Sequence, residues 1–293
     1  MKTKKNILMA FILNLGFSLF ELIGGFFTNS ISIMSDSIHD LGDSISIGIS
    51  YILEKKSSQK PDNKYTYGYA RYSVLGSVIT TSILIVSSIF VIYTAFKRLF
   101  NPVEINYNGM LIFAIVGVVV NFIAALYTKS GHSLNEKSVH LHMIEDILGW
   151  VIVLIGAIII RFTKINQIDT LLSIVVAIYI LTNAFKNLTE ILDLFLEKVP
   201  KNIDIDKIKE KLLNIKNISD IHHIHIWSHD GYNNYATLHV IIKNEDKNIK
   251  KEIRKILLDF DISHVTIEIE TANEICEDKI CEEKEIIKHH HHH

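Results

Sequence analysis

Six stretches of mostly apolar residues, near Ile7–Phe27, Ser30–Leu53, Ser73–Phe96, Met110–Tyr127, Val139–Ile160 and Ile168–Leu188, dictate what this chain can fold into. A bilayer hydrocarbon core about 30 Å thick needs roughly 20 such residues per helix. Only helices or closed barrels satisfy their backbone hydrogen bonds in that medium. The chain has 293 residues, is 48% hydrophobic and has a mean hydropathy of +0.26, and its apolar residues are strongly clustered. The expectation is a membrane all-α fold, a six-transmembrane-helix bundle, over residues 1–198.

Cations set the expected orientation. Lys2, Lys4 and Lys5 precede the first stretch, Lys55, Lys56, Lys60, Lys64 and Arg71 fill the connection from second to third, and Lys129 and Lys137 lie between fourth and fifth. The opposite connections carry only Lys97/Arg98 and Arg161/Lys164, at the ends of stretches. Both termini are therefore expected on the cytoplasmic side of a cell membrane. The Ile-, Lys- and Asn-rich composition suits a bacterial one. The N-terminal apolar run is long and lacks a small-residue cleavage site, so no cleavable signal is expected.

At Pro200 the pattern changes to that of a soluble domain, expected over 199–271. Ile203–Ile215 and Asn248–Phe260 have helical periodicity. Ile221–Trp227, Tyr235–Ile242 and Ser263–Ile269 alternate as strands, and Asp230-Gly231 marks a turn between the first two. The order is αββαβ, a small α+β domain. Residues 272–288 form an acidic tail, and His289–His293 read as a purification tag.

Composition excludes several functions. A formal net charge of -2 gives no footprint for nucleic acid. Two cysteines, Cys276 and Cys281, are too few for a disulfide framework, although they could serve as thiolate ligands. No G-x-x-x-x-G-K-[ST] loop is present for ATP, which favours a transporter driven by an ion gradient over a pump. No His-Glu-x-x-His helix supplies the ligands and base of a metalloprotease, so an enzyme is not expected.

The second and fifth stretches carry ionisable residues in their middles. His39 and Asp43 are four apart, with Asp36 on nearly the same face, and His142 and Asp146 repeat the spacing. On a helix such residues stack on one side. A lone histidine in an apolar helix is more often packed or hydrogen-bonded than a ligand. A carboxylate at bilayer depth is different, because it costs at least about 2.5–3.5 kcal/mol on insertion scales. Two copies of the same pair on facing helices would present two imidazoles and two carboxylates to one point, a four-coordinate N2O2 site suited to Zn2+. Cd2+, Co2+ and Ni2+ remain open on chemistry alone, while Mn2+ prefers oxygen-rich octahedra. Asn14, Glu21 and Asn121 are less specific: each could line a pathway or pair with a neighbouring helix. Gly24-Gly25 permits close helix approach.

The soluble domain holds a second cluster, His222, His223, His225, His229, His239 and His264. Strand alternation sends His223 and His225 to one face and His222 to the other. Its density favours metal binding over a merely solvated face.

With these residues assembled, the chain resembles the cation diffusion facilitator family, in its zinc-transporting branch. The resemblance runs through Asn14, Glu21 and Gly24-Gly25, Ser35-Asp36 to His39-Asp40-Leu41-Gly42-Asp43, and Tyr67-Gly68-Tyr69-Ala70-Arg71. It continues through His142-Met143-Ile144-Glu145-Asp146, His222-His223-Ile224-His225-Ile226-Trp227, Thr237-Leu238-His239-Val240 and His264-Val265-Thr266-Ile267-Glu268. It implies a homodimer in the lipid bilayer with a metallochaperone-like cytosolic domain, exporting Zn2+ against incoming protons by alternating access. It places the transport site at His39, Asp43, His142 and Asp146, and a cytosolic metal site at His222, His239, Glu268 and Glu270, where Zn2+ is a regulatory ligand. It also implies that Arg71 locks to an acid near the end of the sixth helix, for which Glu197 is the nearest candidate. Within the family, His at position 39 goes with zinc over cadmium.

Three departures stand out. Ser73 occupies a position where the family often has Glu, Glu145 stands where Gly is usual, and the connection from Lys129 to Asn135 keeps a single histidine, His132. Competing readings are a membrane-tethered metal sensor, which leaves two costly intramembrane acids unexplained, and a metal channel, which unit conductance would reveal.

Overall fold

A computed structural model of the chain describes residues 2–28, 31–100, 107–129, 133–163 and 167–271. Two compact units divide it, Met1–Asp193 and Leu194–His293.

The first unit is built from six long helices: α1 (Lys2–Thr28), α2 (Ile31–Ser57), α3 (Arg71–Phe100), α4 (Tyr107–Thr128), α5 (Leu134–Thr163) and α6 (Gln167–Phe195). Each overruns its apolar stretch, because a helix need not stop where its hydrophobic segment stops. At ~1.5 Å per residue, the 30 residues of α3 or α5 extend about 45 Å. Pro61 and Pro200 fall in connections, where the missing N–H and the clash with a preceding carbonyl break no helix. Among the described residues, two segments are by themselves long and apolar enough to cross a bilayer, Thr3–Gly24 and Arg71–Lys97, with a shorter apolar segment at Ile112–Thr128. Polar residues dilute α2, so composition marks it less clearly.

This unit is polar inside and apolar outside. Asn14, Glu21, Asp43, Asn121, Asn135, Glu136 and His142 are buried, while Ile23, Phe26, Phe90, Phe96 and Val175 are exposed. That inversion suits a hydrocarbon surround. Apolar contacts fill the remaining interior: Ile7, Ala10, Ile47, Ala124, Val139 and Met143 form one cluster. Phe17, Phe113, Ala114 and Trp150 form another, with Trp150 edge-on to Phe17. Gly24 marks a close approach, since a Cβ there would sit 2.3 Å from the Phe113 ring of α4.

The second unit is built from α7 (Ile205–Leu213), β1 (Ile218–Ser228), β2 (Asn234–Ile242), α8 (Ile249–Leu258) and β3 (Ile262–Thr271). The strands lie in the order β1-β2-β3, with β1 antiparallel and β3 parallel to β2. The parallel pair needs a crossover, which α8 supplies. Asp204 caps α7 by accepting from the Lys207 N–H, and the Lys207 side chain, followed by that backbone bond, holds the Asp204 carboxyl below the usual range. Both helices present amphipathic faces, Ile208 and Leu212 on α7 and Ile249, Ile253 and Leu257 on α8, to the core. The β1–β2 turn uses Gly231 at φ 95 and an Asp230 side chain that accepts from the Tyr232 and Asn233 N–H groups. With core residues such as Ile221, Leu238, Val240 and Ile267 on one side of the sheet, alternation leaves His222, His239, Glu268 and Glu270 on the other.

Candidate metal centres

Within the first unit, α2 and α5 bring Asp43, His142 and Asp146 together. Their ligating atoms all lie within 4.8 Å of one another. Four-residue spacing on α5 puts His142 and Asp146 on one side of that helix. Asp43 reaches them from α2, with its Oδ2 3.6 Å from His142 Nε2. Asp43 is 4% exposed and His142 1%. Among the described residues, neither ring nitrogen of His142 makes a hydrogen bond. A buried imidazole between two carboxylates, with its nitrogens unsatisfied, is poorly served by protein alone and well suited to a divalent cation. A cleft of about 530 Å3 between α2 and α3 reaches Asp43, lined also by Gly42, Ser82, Val86 and Phe90. The backbone of Asp36 and His39 is part of α2, but their side chains lie outside the described residues, as do Cys276, Cys281 and His132.

Glu145 stands beside this cluster without joining it. Its Oε1 accepts from Ser88 Oγ of α3 at 3.1 Å, and its Oε2 is 3.9 Å from His142 Nδ1. The nearby His140 is used structurally, with Nδ1 3.1 Å from Thr128 Oγ1 of α4.

Sequence reasoning missed a buried polar network at the end of the bundle where α2 meets α3. Glu54 Oε2 accepts from Ser73 Oγ at 2.6 Å, Asn135 Nδ2 at 3.1 Å and Ser133 Oγ at 3.4 Å. Asn135 also bonds Ser50, and fits because Gly76 leaves room: a Cβ there would lie 2.6 Å from the Asn135 Oδ1. Asn6 donates to Glu136 at 2.6 Å, tying α1 to α5. Asn187 of α6 donates to Thr81 of α3 and Ser138 of α5 at 2.8 and 2.9 Å. The signal was present in Ser73, whose small hydroxyl replaces a carboxylate on α3 while Glu54 provides one from α2. Arg71 begins α3 in the first unit, and Glu197, with φ 57, belongs to the second.

In the second unit, His222, His239 and Glu270 form a compact group. Their register explains it: His222 is opposite His239, which is opposite Glu268. His239 Nδ1 lies 2.6 Å from Glu270 Oε1, and His222 Nε2 lies 3.4 Å from Glu270 Oε2. Glu268, 3.4 Å from His239 Nε2 with a side chain 66% exposed, sits at the rim rather than in the group.

The expected alternation of β1 needs correction. A β-bulge between His222 and His225 inserts an extra residue, and His223 occupies the left-handed region at φ 48. Consequently the rings of His222 and His223 both approach His239, with centroids 5.2 and 4.8 Å away, instead of taking opposite faces. His229 stacks on Tyr235, and His264 also contacts that ring, so neither is part of the group.

The model of the cation efflux transmembrane domain matches residues 7–196, and that of the cation efflux protein cytoplasmic domain matches 200–272. A cadmium, cobalt and zinc/H(+)-K(+) antiporter of Bacillus subtilis is 36% identical, over 99% of this chain and 97% of its own. The zinc transporter ZitB of Yersinia pseudotuberculosis is 34% identical over 91% and 87%. The metal cation efflux system protein CzcD of Cupriavidus metallidurans is 31% identical over 92% and 87%.

Proposed function

The chain belongs to the cation efflux family of multi-pass membrane transporters, and from that premise we propose that it exports Zn2+ from the cytoplasm in exchange for protons. The family and the relatives are transporters rather than enzymes. The observation that carries the choice of cargo site is the buried convergence of Asp43 and His142 with Asp146. In this reading His39 completes an N2O2 tetrahedron, α1 to α6 all cross the plasma membrane, and both termini face the cytoplasm. Residues 199–271 form the cytoplasmic dimerisation domain of a homodimer. There His222, His239 and Glu270, with Glu268 at the rim, hold a regulatory Zn2+. The names of relatives that handle cadmium and cobalt keep those ions as secondary cargo.

Exchange follows from the ligand chemistry. An imidazole must be neutral, and a carboxylate ionised, to bind a metal, so Zn2+ and protons compete for the same atoms. On the cytoplasmic side Zn2+ displaces protons; after the site opens outward, protons return and release the ion. Histidine ordinarily titrates near pH 6.5, so a modest pH difference shifts occupancy.

Zinc flux into proteoliposomes should rise with an opposing proton gradient and fall to background in Asp43→Ala. Flux indifferent to the gradient would remove the antiport mechanism. Full flux in Asp43→Ala would remove the site.

A further inference from the structure

We propose that Glu145 is a positioning residue for His142, holding the Nδ1 side of the ring so that Nε2 is presented to Asp43 and the cargo ion. This rests on the reading of Asp43, His142 and Asp146 as the cargo site.

Three observations carry it. First, Glu145 is not part of the group of converging ligand atoms, although it is next to Asp146 in sequence. Its carboxylate lies on the other side of the imidazole, 3.9 Å from Nδ1, while Nε2 lies 3.6 Å from Asp43. Second, that carboxylate is already fixed at one oxygen. Ser88 of α3 donates to Oε1, leaving Oε2, which is buried and without a hydrogen bond among the described residues, on the His142 side. Third, the ring it faces is itself buried, with a side chain 2% exposed, so no bulk water is at hand to take the Nδ1 proton's hydrogen bond.

A histidine that binds a metal through one nitrogen must carry its remaining hydrogen on the other, and that N–H needs an acceptor. A carboxylate is the strongest acceptor for the purpose: it fixes the tautomer and ring orientation and raises the basicity of the ligating nitrogen. Closing 3.9 Å to hydrogen-bond length, about 2.8 Å, takes a movement of about 1 Å within one turn of α5. The resulting chain, Ser88 to Glu145 to His142, ties α3 to a cargo site otherwise built from α2 and α5.

The full-length protein in proteoliposomes tests this through zinc KM and kcat, with Co2+ absorption of the purified protein reporting ligand geometry. Glu145→Ala should raise KM about 10- to 100-fold, the usual consequence of removing such a partner, with kcat at saturating zinc retained and Co2+ still tetrahedral. Glu145→Gln, whose amide oxygen can still accept from Nδ1–H, should stay near the parent. Ser88→Ala, remote from the ligands, should raise KM in the same direction by a smaller factor, and it decides the matter if Glu145→Ala does not fold. A parent-like KM in both Glu145→Ala and Ser88→Ala would overturn the proposal. So would equal impairment in Glu145→Ala and Glu145→Gln, or collapse of kcat with a changed Co2+ spectrum, which would make Glu145 a ligand. Asp43→Ala separates the two levels: if it transports normally, the cargo site is elsewhere; if it is inactive while Glu145→Ala is unchanged, only the positioning role falls.

Discussion

At the scale of single residues, carboxylates and histidines contribute differently. Placing Asp43 and Asp146 in a bilayer-spanning bundle costs on the order of 2.5–3.5 kcal/mol each on insertion scales, so they argue that something is bound. The histidines bear on which ion it is. If His39 completes the set as proposed, its imidazole makes that set softer and more selective than a third carboxylate would. His39→Asp is therefore expected to broaden transport to Cd2+ without abolishing zinc flux. The check is the ratio of Cd2+ to Zn2+ uptake in vesicles, and an unchanged ratio would count against a ligand role for His39. Sequence spacing made these residues legible. It did not reveal Glu54, Glu136 or Asn187, because a polar residue at the margin of an apolar stretch looks like the start of a loop until its partners from other helices are in place.

At the scale of elements, the connection from α2 to α3 shows how a short loop is held. The Tyr65 backbone N–H, the Tyr69 hydroxyl and the Lys64 N–H all donate to Asp62, and they hold its carboxyl below the ordinary 3.8. The same contact pushes the Tyr69 hydroxyl up to about 12. A depressed folded-state value means that the contribution is fully present above the ordinary value and disappears as pH falls through the lower one. The loop should therefore stay closed at neutral pH and open only in strong acid. Asp62→Asn should imitate acid at neutral pH, speeding hydrogen exchange of the Lys64 and Tyr65 amides and lowering the Tyr69 transition in an alkaline absorbance titration. If neither changes, the loop is held otherwise. The β1 bulge teaches a related lesson: strict alternation predicted opposite faces for His222 and His223, but one inserted residue, set by pairing to β2, gathers both around His239.

At the scale of the molecule, two units obey opposite solvent rules. The first buries polar groups and exposes apolar ones; the second has an ordinary apolar core in which Ile208, Leu212 and Ile253 are fully buried. Such a small core has little stability to spare. Ile253→Ala should cost about 2–5 kcal/mol and lower the denaturation midpoint reported by Trp227 fluorescence, read in a Trp150→Phe background. An unchanged midpoint would mean that α8 contributes little to the domain. The order αββαβ was readable because strands and helices in this unit carry clean periods of two and about 3.6.

The sequence by itself determined the class of molecule and singled out the acids and histidines proposed to hold metal, since apolar length and residue spacing are local properties of the chain. Only the tertiary structure decided which of them meet. Asp43 approaches His142 across two helices 99 positions apart in number, Glu145 turns away to Ser88 and the far side of the ring, and Glu268 falls to the rim while Glu270 enters the group with His222 and His239. Helix packing and strand register fix those outcomes, and both arise from contacts between segments that no local pattern encodes.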